Sequence, residues 1–156
     1  MDLKNNKKVL VLGVGNLLLG DEGIGIHLIR EMGKERLPLN VELVDGGTAG
    51  IDLLNWLESA DYVIIVDCVE AGEEPGSIFR IPIDELVLDS ANQLISLHDI
   101  NLTEVLSMAN KMKILPPTII FGVQPEVIGY QTELSPTVKN RLPRLIELIK
   151  KEILNN

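Results

Sequence analysis

The chain alternates short runs of apolar, mostly β-branched positions with stretches in which apolar residues recur every three or four places. Val9–Val14 (VLVLGV) is almost continuously apolar, as a strand covered on both faces is. Tyr62–Asp67 (YVIIVD) and Thr118–Val123 (TIIFGV) read the same way. Val41–Val44 is a shorter strand, and Ser77–Pro82 follows the turn signal Glu74-Pro75-Gly76. Between them, Gly23–Met32, Ile51–Leu57 and Leu102–Met112 predict helices. Ser135-Pro136 opens a last helix to about Leu154, with Ser135 as N-cap and Pro136 in the first turn. Its apolar residues Val138, Leu142, Leu145, Ile146 and Ile149 keep the helical period.

Strands alternating with helices predict an α/β fold of three layers: a twisted, mostly parallel sheet of about five strands with helices on both faces. Right-handed crossovers put the second and third strands on either side of the first if the order reverses there. The fourth strand follows the third too closely for a helical crossover, so it is expected to be antiparallel or at an edge. No repeat or linker divides residues 1–156, which read as one domain. Five aromatics in 156 residues leave the core to Ile, Leu and Val.

Charge narrows the function. Fourteen Lys and Arg against 23 Asp and Glu give a net charge of −9, which disfavours nucleic acid and anionic membranes as partners. A single cysteine, Cys68, rules out an internal disulfide and paired-cysteine zinc motifs. Lys4, Lys7 and Lys8 before VLVLGVGNLLLG imitate a secretory leader. That run contains Asn16, leads into Asp21-Glu22 without a small-residue cleavage site, and falls short of the roughly 20 residues a bilayer needs. A soluble cytoplasmic monomer is the expectation.

In open α/β sheets, ligands bind beyond the carboxyl ends of the strands, where the strand order reverses. Gly13–Gly23 follows the first strand, Asp45–Gly50 the second, Asp67-Cys68 end the third, and Gly122–Glu126 close the last. The first loop is glycine-rich but not a nucleotide site. Leu18 stands where a dinucleotide fingerprint needs glycine, and Asp21-Glu22 stand where a phosphate loop needs Lys and Ser or Thr. Asp21 and Glu22 also read simply as acids at a helix N-terminus. Asp67 ends a buried strand, where a carboxylate requires compensation by a cation or hydrogen bonds. Cys68 should face the other way, as a small buried hydrophobe. His98 lies in a polar loop before a helix, whereas His27 reads as a helix-surface residue outside any HExxH pattern. Carboxylates with one imidazole would suit Zn, Ni, Fe or Mn better than Ca or Mg. That chemistry does not yet name a reaction.

VLGVGNLLLGDEGIG, VDGGTAG, IIVDCV, SLHDINLTEVL and FGVQPE, in this order from about Val9 to Arg144, resemble the hydrogenase maturation endopeptidases. The resemblance implies an enzyme that removes the C-terminal extension of a nickel-containing hydrogenase large-subunit precursor after metal insertion. It implies an α/β sheet between helices and no serine- or cysteine-protease triad. Matching the motifs places Glu22, Asp67 and His98 in the catalytic and metal-binding positions. The metal is expected to be the nickel carried by the substrate, with no nucleotide cofactor. Asp45, Gly46, Gly47 and Thr48 become substrate-binding candidates. A non-enzymatic nickel-binding maturation chaperone and another metal-dependent hydrolase on the same scaffold are the alternatives.

Overall fold

The computed structural model describes residues 7–47, 50–83, 96–97 and 100–156. Five strands stand in the order β2-β1-β3-β6-β4, where β1 is Val9–Val14, β2 Val41–Gly47, β3 Tyr62–Glu70, β4 Ile78–Pro82 and β6 Thr118–Val123. β1 pairs in parallel with β2 and β3, and β3 in parallel with β6. β4 runs antiparallel along β6 at the sheet edge, as its short connection requires. A two-residue strand, β5 (Ser96–Leu97), pairs antiparallel with Glu70 and Val69 of β3.

All six residues of both β1 and β6 are buried, which is why those segments are apolar without alternation. Val9, Val11, Ile64, Val66, Cys68, Ile119 and Phe121 face one layer. There they meet α1 (Ile24–Met32), α4 (Pro136–Lys139) and α5 (Leu142–Leu154). Leu10, Leu12, Val63, Ile65 and Ile120 face the other, against α2 (Leu53–Ser59) and α3 (Ile100–Lys111). Alternation along each strand divides one apolar run between two cores.

Three segments differ from the reading of the sequence. β2 continues through Asp45 to Gly47, after a register shift at Gly13 and Val14. β3 does not end at Asp67 but runs three residues further, because β6 continues to pair with Asp67 and Cys68. The last helix is two, α4 and α5, with Pro143 near the start of the second. A proline there supplies no amide to bond the preceding turn and crowds the carbonyl four residues back. His27 is half-buried rather than on the surface, and desolvation lowers its pKa, with Arg30 acting in the same direction.

Glu152 fastens α5 to the sheet. It accepts hydrogen bonds from Tyr62 Oη at 2.7 Å, Arg80 Nε at 3.0 Å and an Arg80 terminal nitrogen at 2.8 Å. Arg80 holds the Glu152 carboxyl below the usual range, while burial and the neighbouring carboxylate push the Tyr62 hydroxyl up to about 12. Unfolded tyrosine loses its proton near 10, so between pH 10 and about 12 the folded state retains a proton that the unfolded state has lost. Stability should fall with rising pH across that window. Tyr62→Phe should flatten this alkaline limb in urea titrations, and an unchanged slope would show that Tyr62 does not carry it.

Candidate active site

The site is built where β1 stops. Its pairing with β3 ends at Gly13 opposite Val66, so Asp67 is the first β3 residue beyond its neighbour, still held by Gly122 of β6. β2 lies across β1 from β3, which makes this the point where the strand order reverses. Asp67 is fully buried, and its Oδ1 accepts the Cys68 amide at 2.7 Å.

The loop after β1 turns back sharply into a 3-10 turn, Gly20–Gly23, that runs straight into α1. Its path depends on absent side chains. A Cβ on Gly25 would collide with the Val66 carbonyl oxygen, and one on Gly15 with the Glu22 carbonyl oxygen. The start of α1 therefore packs directly on the backbone beside Asp67, and the turn bearing Glu22 closes over the loop that begins it.

Asp21 holds this arrangement. Its carboxylate is buried and accepts four hydrogen bonds. Oδ2 takes the Glu126 amide at 2.9 Å, the Val127 amide at 2.9 Å and the Ser135 hydroxyl at 2.8 Å. Oδ1 takes the Ser135 amide at 2.7 Å. In return the Asp21 amide donates to the Val127 carbonyl at 2.9 Å. The acid beside Glu22 thus ties its turn to the segment after β6 and to the cap of α4, a function that its place in the sequence did not reveal. Buried Gln124 acts similarly on the neighbouring loop: its Oε1 accepts the Ala71 amide at 2.8 Å, and its Nε2 donates to Glu70 at 2.8 Å.

Glu22 is half-buried. Burial pushes the Cys68 thiol up, and the negative charges of Asp67, Glu22, Asp21 and Glu70 push it in the same direction. Glu22 and Asp67 therefore act on one small region, although they lie 45 positions apart in the chain. The same surroundings deny Cys68 a thiolate, so a cysteine nucleophile has no place here. Asp45 is exposed and its Oδ1 accepts the Gly47 amide at 2.9 Å, while the Gly47 carbonyl accepts the Gly15 amide at 2.9 Å. The Asp45–Gly47 segment therefore borders the first loop. His98 and Thr48 lie outside the described residues. Among the described residues, no three His, Cys, Asp or Glu side chains gather as a metal site.

Comparison with known proteins decides the family. The hydrogenase maturation protease profile matches residues 26–152. The chain belongs to the hydrogenase maturation protease family. It is 35% identical over 144 residues to the Hydrogenase 2 maturation protease of Escherichia coli (strain K12), covering 91% of this chain and 88% of that one. It is 34% identical to the hydrogenase expression/formation protein HupD of Bradyrhizobium diazoefficiens over 92% of this chain and 76% of that protein. The hydrogenase maturating endopeptidase HybD from E. coli superposes with a TM-score of 0.85 at 32% identity, over 95% of this chain and 93% of that chain. The [NiFe] hydrogenase maturation protease HycI from Thermococcus kodakarensis KOD1 gives 0.77 at 26% identity, over 97% and 96%. Membership makes the chain an endopeptidase of hydrogenase maturation and sets the chaperone reading aside. Among the described residues, no helix is long and apolar enough to cross a membrane.

Asp21→Ala should lower stability by about 3 kcal/mol, because three backbone amides and a hydroxyl lose a buried acceptor. Ser135→Ala should cost about 1 kcal/mol. Urea denaturation gives both, and equal effects would show that the carboxylate does not organise the turn.

Proposed function

We propose that this endopeptidase removes the C-terminal extension of a nickel-containing hydrogenase large-subunit precursor after metal insertion, and that it uses the substrate's nickel for recognition. Glu22, Asp67 and His98 are the residues that would meet the metal. The supporting observation is that Asp67 lies just past the last pairing of β1, while the start of α1, which follows Glu22, packs on the Val66 backbone beside it. Two carboxylates and an imidazole form a donor set suited to a borderline ion such as nickel, with positions left for ligands from the precursor.

Hydrolysis adds water across the scissile amide, its oxygen going to the acyl carbon and a proton to the departing nitrogen. A carboxylate in the crevice can take the water's proton, and no protein nucleophile is required. Asp45, Gly46, Gly47 and Thr48 would border the bound tail, with exposed Asp45 and half-buried Gly47 the positions open to it.

Nickel-loaded precursor incubated with the protein should shift in mobility on gels, and nickel-free precursor should not. Asp67→Asn and His98→Ala should abolish the shift while the thermal midpoint is retained. Equal cleavage of nickel-free precursor would reject recognition through the metal. Asp45→Ala should slow cleavage several-fold without unfolding the domain; a large loss of stability would assign Asp45 to the turn instead.

A further inference from the structure

The rim around this crevice carries a second pattern. The loops after β1, β2, β3 and β6 contain Asp21, Glu22, Asp52, Glu73, Glu74, Glu126 and Glu133 and no lysine or arginine, with Asp45 and Glu70 in the last residues of β2 and β3. Large apolar side chains stand exposed among these acids: Leu18 at 61%, Val127 at 38%, Ile128 at 43% and Tyr130 at 97%.

Backbone bonds join them into one surface. The Gln131 amide donates to the Leu18 carbonyl at 3.1 Å, and the Gly20 amide to the Gln131 carbonyl at 2.9 Å. Val127 is the residue whose backbone is bonded to Asp21. An open cleft of ≈ 870 Å³ runs beside them, lined by Glu126, Val127, Gln131, Glu133 and Pro136, with Lys139 at its α4 wall. Its Glu126, Val127 and Ser135 walls are the residues hydrogen-bonded to Asp21, the neighbour of Glu22.

We infer that Leu18, Val127, Ile128 and Tyr130 form the docking surface for an extended peptide bearing both apolar and basic side chains. That occupant is the tail of the precursor, an assignment that rests on the function proposed above. Apolar side chains exposed together on a rim of one charge fit a partner that covers them and supplies the opposite sign. A flexible tail laid on this surface leads its scissile bond toward the adjacent Glu22 turn. Steering by the acidic rim makes capture sensitive to salt.

The test measures both binding and cleavage of nickel-loaded precursor by wild type, a Leu18→Ser/Ile128→Ser/Tyr130→Ser variant and a Glu126→Gln/Glu133→Gln variant. The apolar variant should raise Kd and KM about tenfold at an unchanged thermal midpoint, with the loss in KM rather than kcat. The charge variant should bind with a weaker dependence on salt than wild type across roughly 50 to 500 mM. Precursor with its tail lysines and arginines replaced by glutamine should bind wild type more weakly. Unchanged Kd in the apolar variant overturns the inference, and so does a wild-type dimer that the same variant dissociates, since the patch would then join two copies. Wild type that binds precursor through this surface but leaves it uncut would retain the docking surface and refute the proposed cleavage.

Discussion

The site depends on one buried carboxylate. Asp21 is satisfied by three backbone amides and a hydroxyl drawn from two segments more than 100 positions away. The two Ser135 donors are buried and would otherwise face an empty acceptor position, a cost of roughly 1–3 kcal/mol for each unsatisfied group. The bonds act on Glu126, Val127 and Ser135 at once, so the first loop, the segment after β6 and the start of α4 are fixed relative to one another. Glu22 inherits its position from this neighbour and from the glycine-permitted contact of α1 with β3.

The sheet places the other acid by a different means. Asp67 belongs to a strand held by β6 on one side and released by β1 on the other. Such a residue is held by the core on one side and lies, still buried, just past the last pairing of β1. The pairing therefore gives the carboxylate a stable support, as sites carried on regular elements require.

The layers were legible because burial on both faces of a strand imposes a continuous apolar run, and because Ser135 and Pro136 mark a helix start by their own chemistry. The flanking of β1 by β2 and β3 followed from the handedness of crossovers once the order reverses there, and the reversal itself was not in the sequence. Less could be read where a partner decides the outcome. Nothing local in Asp67-Cys68-Val69-Glu70 says that β6 and β5 extend the strand, and Pro143 breaks the last helix inside an otherwise regular pattern. Glu22 and Asp67 were recognisable from motifs. Asp21, beside one of them, was read as an acid at a helix end because its four donors arrive from distant parts of the chain.

Cys68 carries a consequence for how such an enzyme can be controlled. It sits beside the crevice, but its thiol is buried and surrounded by negative charge that opposes ionisation. Alkylating reagents and peroxides act on thiolates, so they find little to attack here. Burial of Cys68 keeps the chain's one sulfhydryl out of reach of such reagents in the folded state.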